Sequence, residues 1–209
     1  MEAESRTLSH RRRKEARPAE LIAAALDLFV ERGFAATRLD DVAAAAGVSK
    51  GTLYLYFDSK EALFRAAIEQ NILPVIEQAE DVVAQHAGSA VDLLGGLVRG
   101  WWASVGATKA GDVLKLIVTE ARNFPDVAAY YNESVVERAK RLVIQVLEFG
   151  IHAGEFRPVD TVMAFHAIFS PAMMLIIWRH SLGACCGEGL DPDRYLAFSL
   201  ELMLDGLKK

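Results

Sequence analysis

The chain holds only two cysteines, and they are neighbours, Cys185 and Cys186. Adjacent cysteines rarely bond to each other, and nothing here forms a disulfide framework or a zinc-binding spacing. Reduced thiols in a cytoplasmic protein are the expected state. A thiol sensor in the glycine-rich stretch "GACCGEGLDPD" is the alternative. No apolar run reaches the ~18 residues of a membrane span; the nearest, "FHAIFSPAMMLIIW", is broken by His166, Ser170 and Pro171, so no membrane partner is expected. The N-terminal "RTLSHRRRKEAR" lacks the apolar core of a secretory signal. Also missing are a glycine-rich phosphate loop, a nucleophile elbow and paired histidines at metal spacing. His152 and Glu155 in "HAGE" do not close a metal site. These absences argue against an enzyme and leave no expected cofactor or metal.

A general basic excess is missing too, since the net charge is −5. Its distribution says more than its sum. Residues 1–60 carry 10 Lys/Arg against 9 Asp/Glu, whereas residues 61–209 carry 13 against 19. Arg6, Arg11, Arg12, Arg13, Lys14 and Arg17 are opposed within that stretch only by Glu15. A small DNA-facing end on an acidic body fits this asymmetry, with residues 1–17 read as a disordered basic arm. Apolar residues make up 52% of the chain and mean hydropathy is +0.18. Without a membrane span, that richness implies a helical protein with a large subunit interface.

Periodicity is helical throughout. Pro18 suits the first turn of a helix, whose apolar stripe is Leu21, Ile22, Ala25, Leu26, Leu28 and Phe29, and Gly33 ends it. Thr37 and Asp40 have capping-box spacing before a short helix carrying Leu39, Val42, Ala43 and Ala46. Gly47 stops that helix, and Ser49 caps a third that should run through Phe57. A fourth starts at Lys60 or Glu61 and runs towards the low eighties with a kink at Pro74. Two short helices joined by Gly47-Val48-Ser49 form a helix-turn-helix pattern. Further helices are expected near 89–106, 112–123, 126–153, 160–181 and 191–207.

The run "LIAAALDLFVERGFAATRLDDVAAAAGVSKGTLYLYFDSKEALF", about 44 of 209 positions, resembles the DNA-binding domain of the tetracycline-repressor (TetR) family. "EARNFPDVAAYY" and "AGEFRPVD" are similar to segments of AcrR-like members. The resemblance implies an all-α homodimer: a three-helix helix-turn-helix domain over residues 18–64, then a helical ligand-binding and dimerisation domain over residues 65–209. It further implies contacts to double-stranded DNA from Thr37, Ser49, Lys50, Gly51, Thr52, Tyr54, Tyr56 and Lys60. Physical reasons accompany these positions. Thr37 and Thr52 offer hydroxyls to phosphates, Gly51 permits close backbone approach, and Lys60 adds charge beside a helix N-terminus. Tyr54 can pack on a thymine methyl or donate to a phosphate. Leu53 and Phe57 share one helix face as scaffold, Lys50 and Tyr54 share the outward one, and Tyr56 belongs to either. Leu55 stands where many family members carry a third aromatic.

The body is rich in aromatic and methionine side chains, which are core residues or the lining of an apolar pocket. Trp101, Trp102, Phe165, Phe169 and Met173 are the candidate lining, with Arg122, Tyr131 and His166 as polar handles. His166 also reads as a satisfied core histidine. The resemblance pairs the helices "TVMAFHAIFSPAMMLIIWRHSLGA" and "DRYLAFSLELMLDGL" with their copies in a four-helix subunit interface. The functional expectation is a ligand-responsive transcriptional regulator, a repressor released by a small apolar or aromatic effector. An architectural DNA-binding protein without an effector is the alternative.

Overall fold

The computed structural model describes residues 2–179 and 190–209, with side chains from Arg17 onward. Cys185 and Cys186 therefore lie outside the described residues. Eleven α-helices follow one another among the described residues: α1 Glu2–Arg32, α2 Leu39–Ala45, α3 Lys50–Tyr54, α4 Lys60–Asn71, α5 Leu73–Gln85, α6 Ala90–Trp101, α7 Ala110–Glu120, α8 Pro125–Tyr131, α9 Glu137–His152, α10 Thr161–Ile177 and α11 Pro192–Leu207. Short π-helical turns, Trp102–Gly106 and Asn132–Val136, prolong α6 and join α8 to α9.

Four local expectations change. The first helix does not begin at Pro18 but runs from Glu2 through it, so helical backbone replaces the disordered arm. The Glu, Arg, Lys and Ala residues upstream are good helix formers, and they continue the helix past the amide that Pro18 lacks. The cap of α2 is Arg38 rather than Thr37, with the Arg38 amide donating to the Asp41 carboxylate at 3.3 Å. Helix α3 ends at Tyr54, short of Phe57. Pro74 does not kink one long helix; the chain breaks at Ile72 and Pro74 opens α5. In the first turn its missing amide costs no helical hydrogen bond.

Two glycines supply the turns of the N-terminal end. Gly33, after α1, has φ 84° and Gly47, between α2 and α3, has φ 65°, both in the left-handed region where other residues are strained. Leu21, Phe29, Phe34, Val42, Leu53, Leu63 and Phe64 form the core under α1–α4. The same cluster continues into Val113, Leu116, Ile117 and Val127 of α7 and α8. The core is thus continuous across residue 64, where the sequence suggested a domain boundary. A second core joins α6, α9, α10 and α11 through Leu94, Trp102, Leu147, Phe156, Phe165, Leu175 and Leu200.

Gly150 of α9 lies where that helix meets the start of α6 and the Phe156 ring in the second core. A Cβ there would collide with the ring of the buried Phe156 and lie 2.8 Å from the Ala90 Cβ. Gly206 of α11 has open space around its Cα. Gly150→Ala is therefore expected to lose about 1–3 kcal/mol through overpacking, despite its better helix propensity. Gly206→Ala is expected to gain about 0.5–1 kcal/mol. Urea unfolding of the two variants at one protein concentration checks both signs.

Candidate nucleic-acid interface and apolar chamber

Helices α2 and α3 are set by local chemistry. Ser49 caps α3, its Oγ accepting from the Thr52 amide at 3.1 Å and lying 2.8 Å from the Thr52 hydroxyl. The Val48 amide donates to the Ala43 carbonyl at 2.9 Å and closes the turn. Leu53 is buried in the core under α1–α4, as its spacing predicted, while Phe57 and Tyr56 are half-buried against the same core. That leaves Ser49, Lys50, Gly51 and Tyr54 exposed on one edge, with Thr52 half-exposed beside them. Tyr54 is 46% exposed and Leu55 is 82% exposed. The Lys50 ammonium lies 2.9 Å from each Asp40 carboxylate oxygen and 5.8 Å from the Tyr54 ring centroid. The hydrogen bond to Asp40 pushes the Lys50 ammonium above its ordinary pKa, so it stays charged.

Two expected DNA contacts are corrected. Thr37 is 1% exposed, and its hydroxyl donates to the Gly33 carbonyl at 2.8 Å. A hydroxyl so enclosed fastens the α1–α2 turn and does not reach a phosphate. Lys60 turns its ammonium inward, donating to the carbonyls of Phe34 at 2.8 Å and Ala35 at 3.0 Å. These carbonyls lie just beyond α1, where helix-end oxygens need partners. The Lys60 Nζ also sits 5.0 Å from the Phe34 ring centroid and 6.0 Å from that of Phe124. Phe34 packs edge-on against Phe124 at 4.4 Å and at 4.7 Å from Phe29. Phe124 belongs to the turn between α7 and α8, so this cluster joins the N-terminal helices to the body.

An apolar pocket of about 160 Å³, open to solvent on one side, lies between α5, α6, α9 and α10. Ile76, Leu97, Trp101, Leu142, Val143 and Phe169 form much of its wall, and Gln78 and Ser104 are its polar lining side chains. Trp101 meets Phe169 edge-on at 5.5 Å, and Phe165 stands behind Phe169 at 5.2 Å. Arg138 grips Glu80 with two hydrogen bonds, Nε–Oε1 at 2.9 Å and Nη2–Oε2 at 2.7 Å. This pair follows and precedes the lining residues Ala79 and Ala139, so it straps α5 to α9, and the guanidinium holds the Glu80 carboxyl below its usual range.

Of the eight body residues expected at the ligand, Trp101 and Phe169 line the cavity. Phe165 and Met173 belong to the core around it, and Trp102 is buried on the other side of α6, beside α11. Tyr131 is half-buried between the two cores, and desolvation of its phenol pushes the pKa up so that it remains neutral. Arg122 and His166 are exposed, away from the cavity, which removes both as polar handles. His166 is not a core histidine either. Phe165, Ile168 and Ala172 occupy the buried face of α10, and His166 falls on the opposite one. Sequence reasoning missed Gly96 and Gly100, exposed cavity residues four apart on α6. Their i, i+4 spacing was the available signal. Among the described residues no group of three His, Cys, Asp or Glu can hold a metal ion, and no helix is long and apolar enough to cross a membrane.

A capped helix-turn-helix edge carried by an all-helical body with an apolar chamber defines a DNA-binding transcriptional regulator. Comparison with known proteins agrees. Residues 21–67 match the model of bacterial regulatory proteins of the tetR family, and residues 92–186 match the C-terminal domain of AefR-like transcriptional repressors. The chain is 30% identical over 200 residues to the HTH-type transcriptional repressor KstR2 of Rhodococcus jostii, covering 93% of this chain and 92% of the relative. It is 34% identical to the transcriptional regulator YfiR of Bacillus subtilis over 75% of this chain and 76% of that one. This protein belongs to the TetR family of transcriptional regulators. Solved structures share the fold: the Bacillus subtilis regulator FadR in complex with stearoyl-CoA has TM-score 0.75 at 21% identity, covering 90% of this chain and 98% of that chain. The ketosteroid regulator KstR2 of Mycobacterium tuberculosis has TM-score 0.73 at 24% identity, covering 92% and 95%.

Replacing Lys60 separates a cap from a phosphate contact. Lys60→Met leaves two carbonyls without their charged donor and is expected to cost about 1–3 kcal/mol in urea unfolding. The slope of log affinity for DNA against log salt is expected to stay at its wild-type value. A slope shallower by about one charge would return Lys60 to the DNA surface.

Proposed function

We propose that the protein is a cytoplasmic repressor that binds a pseudo-palindromic operator as a homodimer and is released by a lipid-like effector. The carrying observation is the chamber: it is apolar, it contains no charged lining side chain, and it is bounded by α5, which follows directly from α4. At about 160 Å³ it accommodates a ring the size of benzene. Sites for larger ligands span ~300–1,000 Å³. An extended apolar effector that seats wholly between the helices must therefore select a conformation in which α5, α6 and α9 stand further apart. Such a ligand has the differential affinity for two states that release requires. Helix α4 transmits the change, because Lys60 at its start is tied to the turn after α1 and Phe64 packs in the Phe29–Phe34 cluster. Acyl thioesters and steroids are the favoured effector classes, by likeness to FadR with stearoyl-CoA and to the ketosteroid regulator KstR2. An effector-free architectural role would leave the chamber without a purpose.

On the DNA side, Ser49, Lys50, Gly51, Thr52 and Tyr54 form the contact edge, and Tyr56 contributes from its half-buried position. The dimer face is the outer side of α10 and α11, where Met163 is 61%, Phe198 58% and Leu202 59% exposed. Val162, Met174 and Ile177 extend the same apolar surface. A dimer places two α3 helices on half-sites about one turn of DNA apart.

Two experiments check this reading. Stearoyl-CoA or a 3-ketosteroid is expected to quench Trp101 fluorescence and weaken binding to a selected operator by at least about tenfold. Gly100→Leu, which fills the cavity from α6, should abolish that response while ligand-free DNA binding persists. No fluorescence change and no release with either probe would remove these effector classes. Phe198→Glu combined with Leu202→Glu should yield a monomer in sedimentation velocity and lower operator affinity about a hundredfold or more, because one half-site is lost. A dimer that survives both charges would place the interface elsewhere.

A further inference from the structure

The DNA-facing edge carries a carboxylate among its cations. Asp40 lies in the first turn of α2 and Lys50 opens α3, and both side chains are more than half exposed. An exposed ion pair contributes little to stability. A negative charge facing a phosphate backbone also lowers DNA affinity. Neither stability nor raw affinity therefore accounts for a carboxylate at this place. Its geometry does something else. Both Asp40 oxygens stand 2.9 Å from the Lys50 ammonium, and the Tyr54 ring lies 5.8 Å away along α3. An ammonium has three N–H donors. One N–H bridges the two carboxylate oxygens, so two donors remain, and they point away from Asp40. A free lysine is a flexible point charge that seeks phosphates. A pinned lysine presents its remaining donors in one direction, suited to the paired acceptors guanine O6 and N7 in the major groove.

We infer that Asp40 is a positioning residue for sequence discrimination: by pinning Lys50 it converts a phosphate-seeking cation into a reader of guanine acceptors. The pair is neutral as a unit, so on unselected DNA it displaces no counterion. Non-specific binding is thereby suppressed, and the discrimination between operator and bulk DNA grows without any added contact. This inference rests on the reading of α3 as the DNA-contacting edge.

The test compares the duplex that the protein enriches from a randomised DNA library with a scrambled duplex of equal length and composition. Asp40→Asn keeps the shape of the side chain and removes its charge. It is expected to raise affinity for the scrambled duplex about tenfold and to steepen its salt slope by about one charge. The ratio of specific to scrambled affinity should fall about tenfold, and Asp40→Glu should restore most of it. Lys50→Met should weaken operator binding and make the Asp40→Asn change silent in the double variant. If Lys50→Met weakens operator binding while Asp40→Asn changes neither ratio nor slope, the positioning role of Asp40 is overturned alone. If Lys50→Met leaves both affinities unchanged, α3 is not the contact edge and the two readings fall together.

Discussion

The rest of the structure depends on what holds the turn after α1. Lys60 reaches back across 26 residues to the Phe34 carbonyl and across 25 to that of Ala35. Its charge is satisfied there by two oxygens and by the faces of aromatic rings. The same turn carries Phe34 into contact with Phe29, Phe64 and Phe124. One lysine and four phenylalanines thus fasten the first helix, the fourth helix and the body to one another. Aromatic clusters of this kind add specific geometry to their burial, and a packed cluster changes between discrete arrangements more readily than it deforms.

That rigidity gives the small chamber its significance. A cavity able to hold only a small ring is compatible with a stable, well-packed ligand-free state. An extended effector cannot seat wholly between the helices without separating α5 from α6 and α9, and the Arg138–Glu80 strap must then yield or follow. Because α5 continues from α4 through Ile72, and α4 is tied at Lys60, displacement of α5 acts on the joint beneath the DNA-binding edge. In the proposed dimer, a small reorientation of each α3 would become a mismatch between two half-sites.

The DNA-binding end was legible because its determinants are local. Gly47 and Ser49 act within a few residues, and the Leu53 spacing follows from the helical period alone. What escaped was long-range or depended on facing. A sequence presents Lys60 as a charge beside a helix start, and only the fold shows that its nearest oxygens belong to Phe34 and Ala35. Thr37 had cap spacing, yet the next residue caps and the threonine turns inside. His166 sits in an apolar segment, but its neighbours Phe165 and Ile168 fill the buried face and leave it outside. Part of the cavity wall is built from small residues such as Gly96, Gly100 and Ala139, whose side chains carry no chemical signature in a sequence.

Coupling between the chamber and the DNA edge is the central claim, and the distance between the two α2 helices of a dimer reports it directly. Ala45→Cys, in a background with Cys185→Ser and Cys186→Ser, accepts a nitroxide label on an exposed part of α2. Pulsed electron resonance then measures the label separation alone, with operator duplex, and with stearoyl-CoA at saturation. Coupling through the Lys60–phenylalanine joint predicts a separation with ligand that is displaced from the operator-bound value. Coincident distance distributions in a protein that has bound the ligand and released the operator would contradict it.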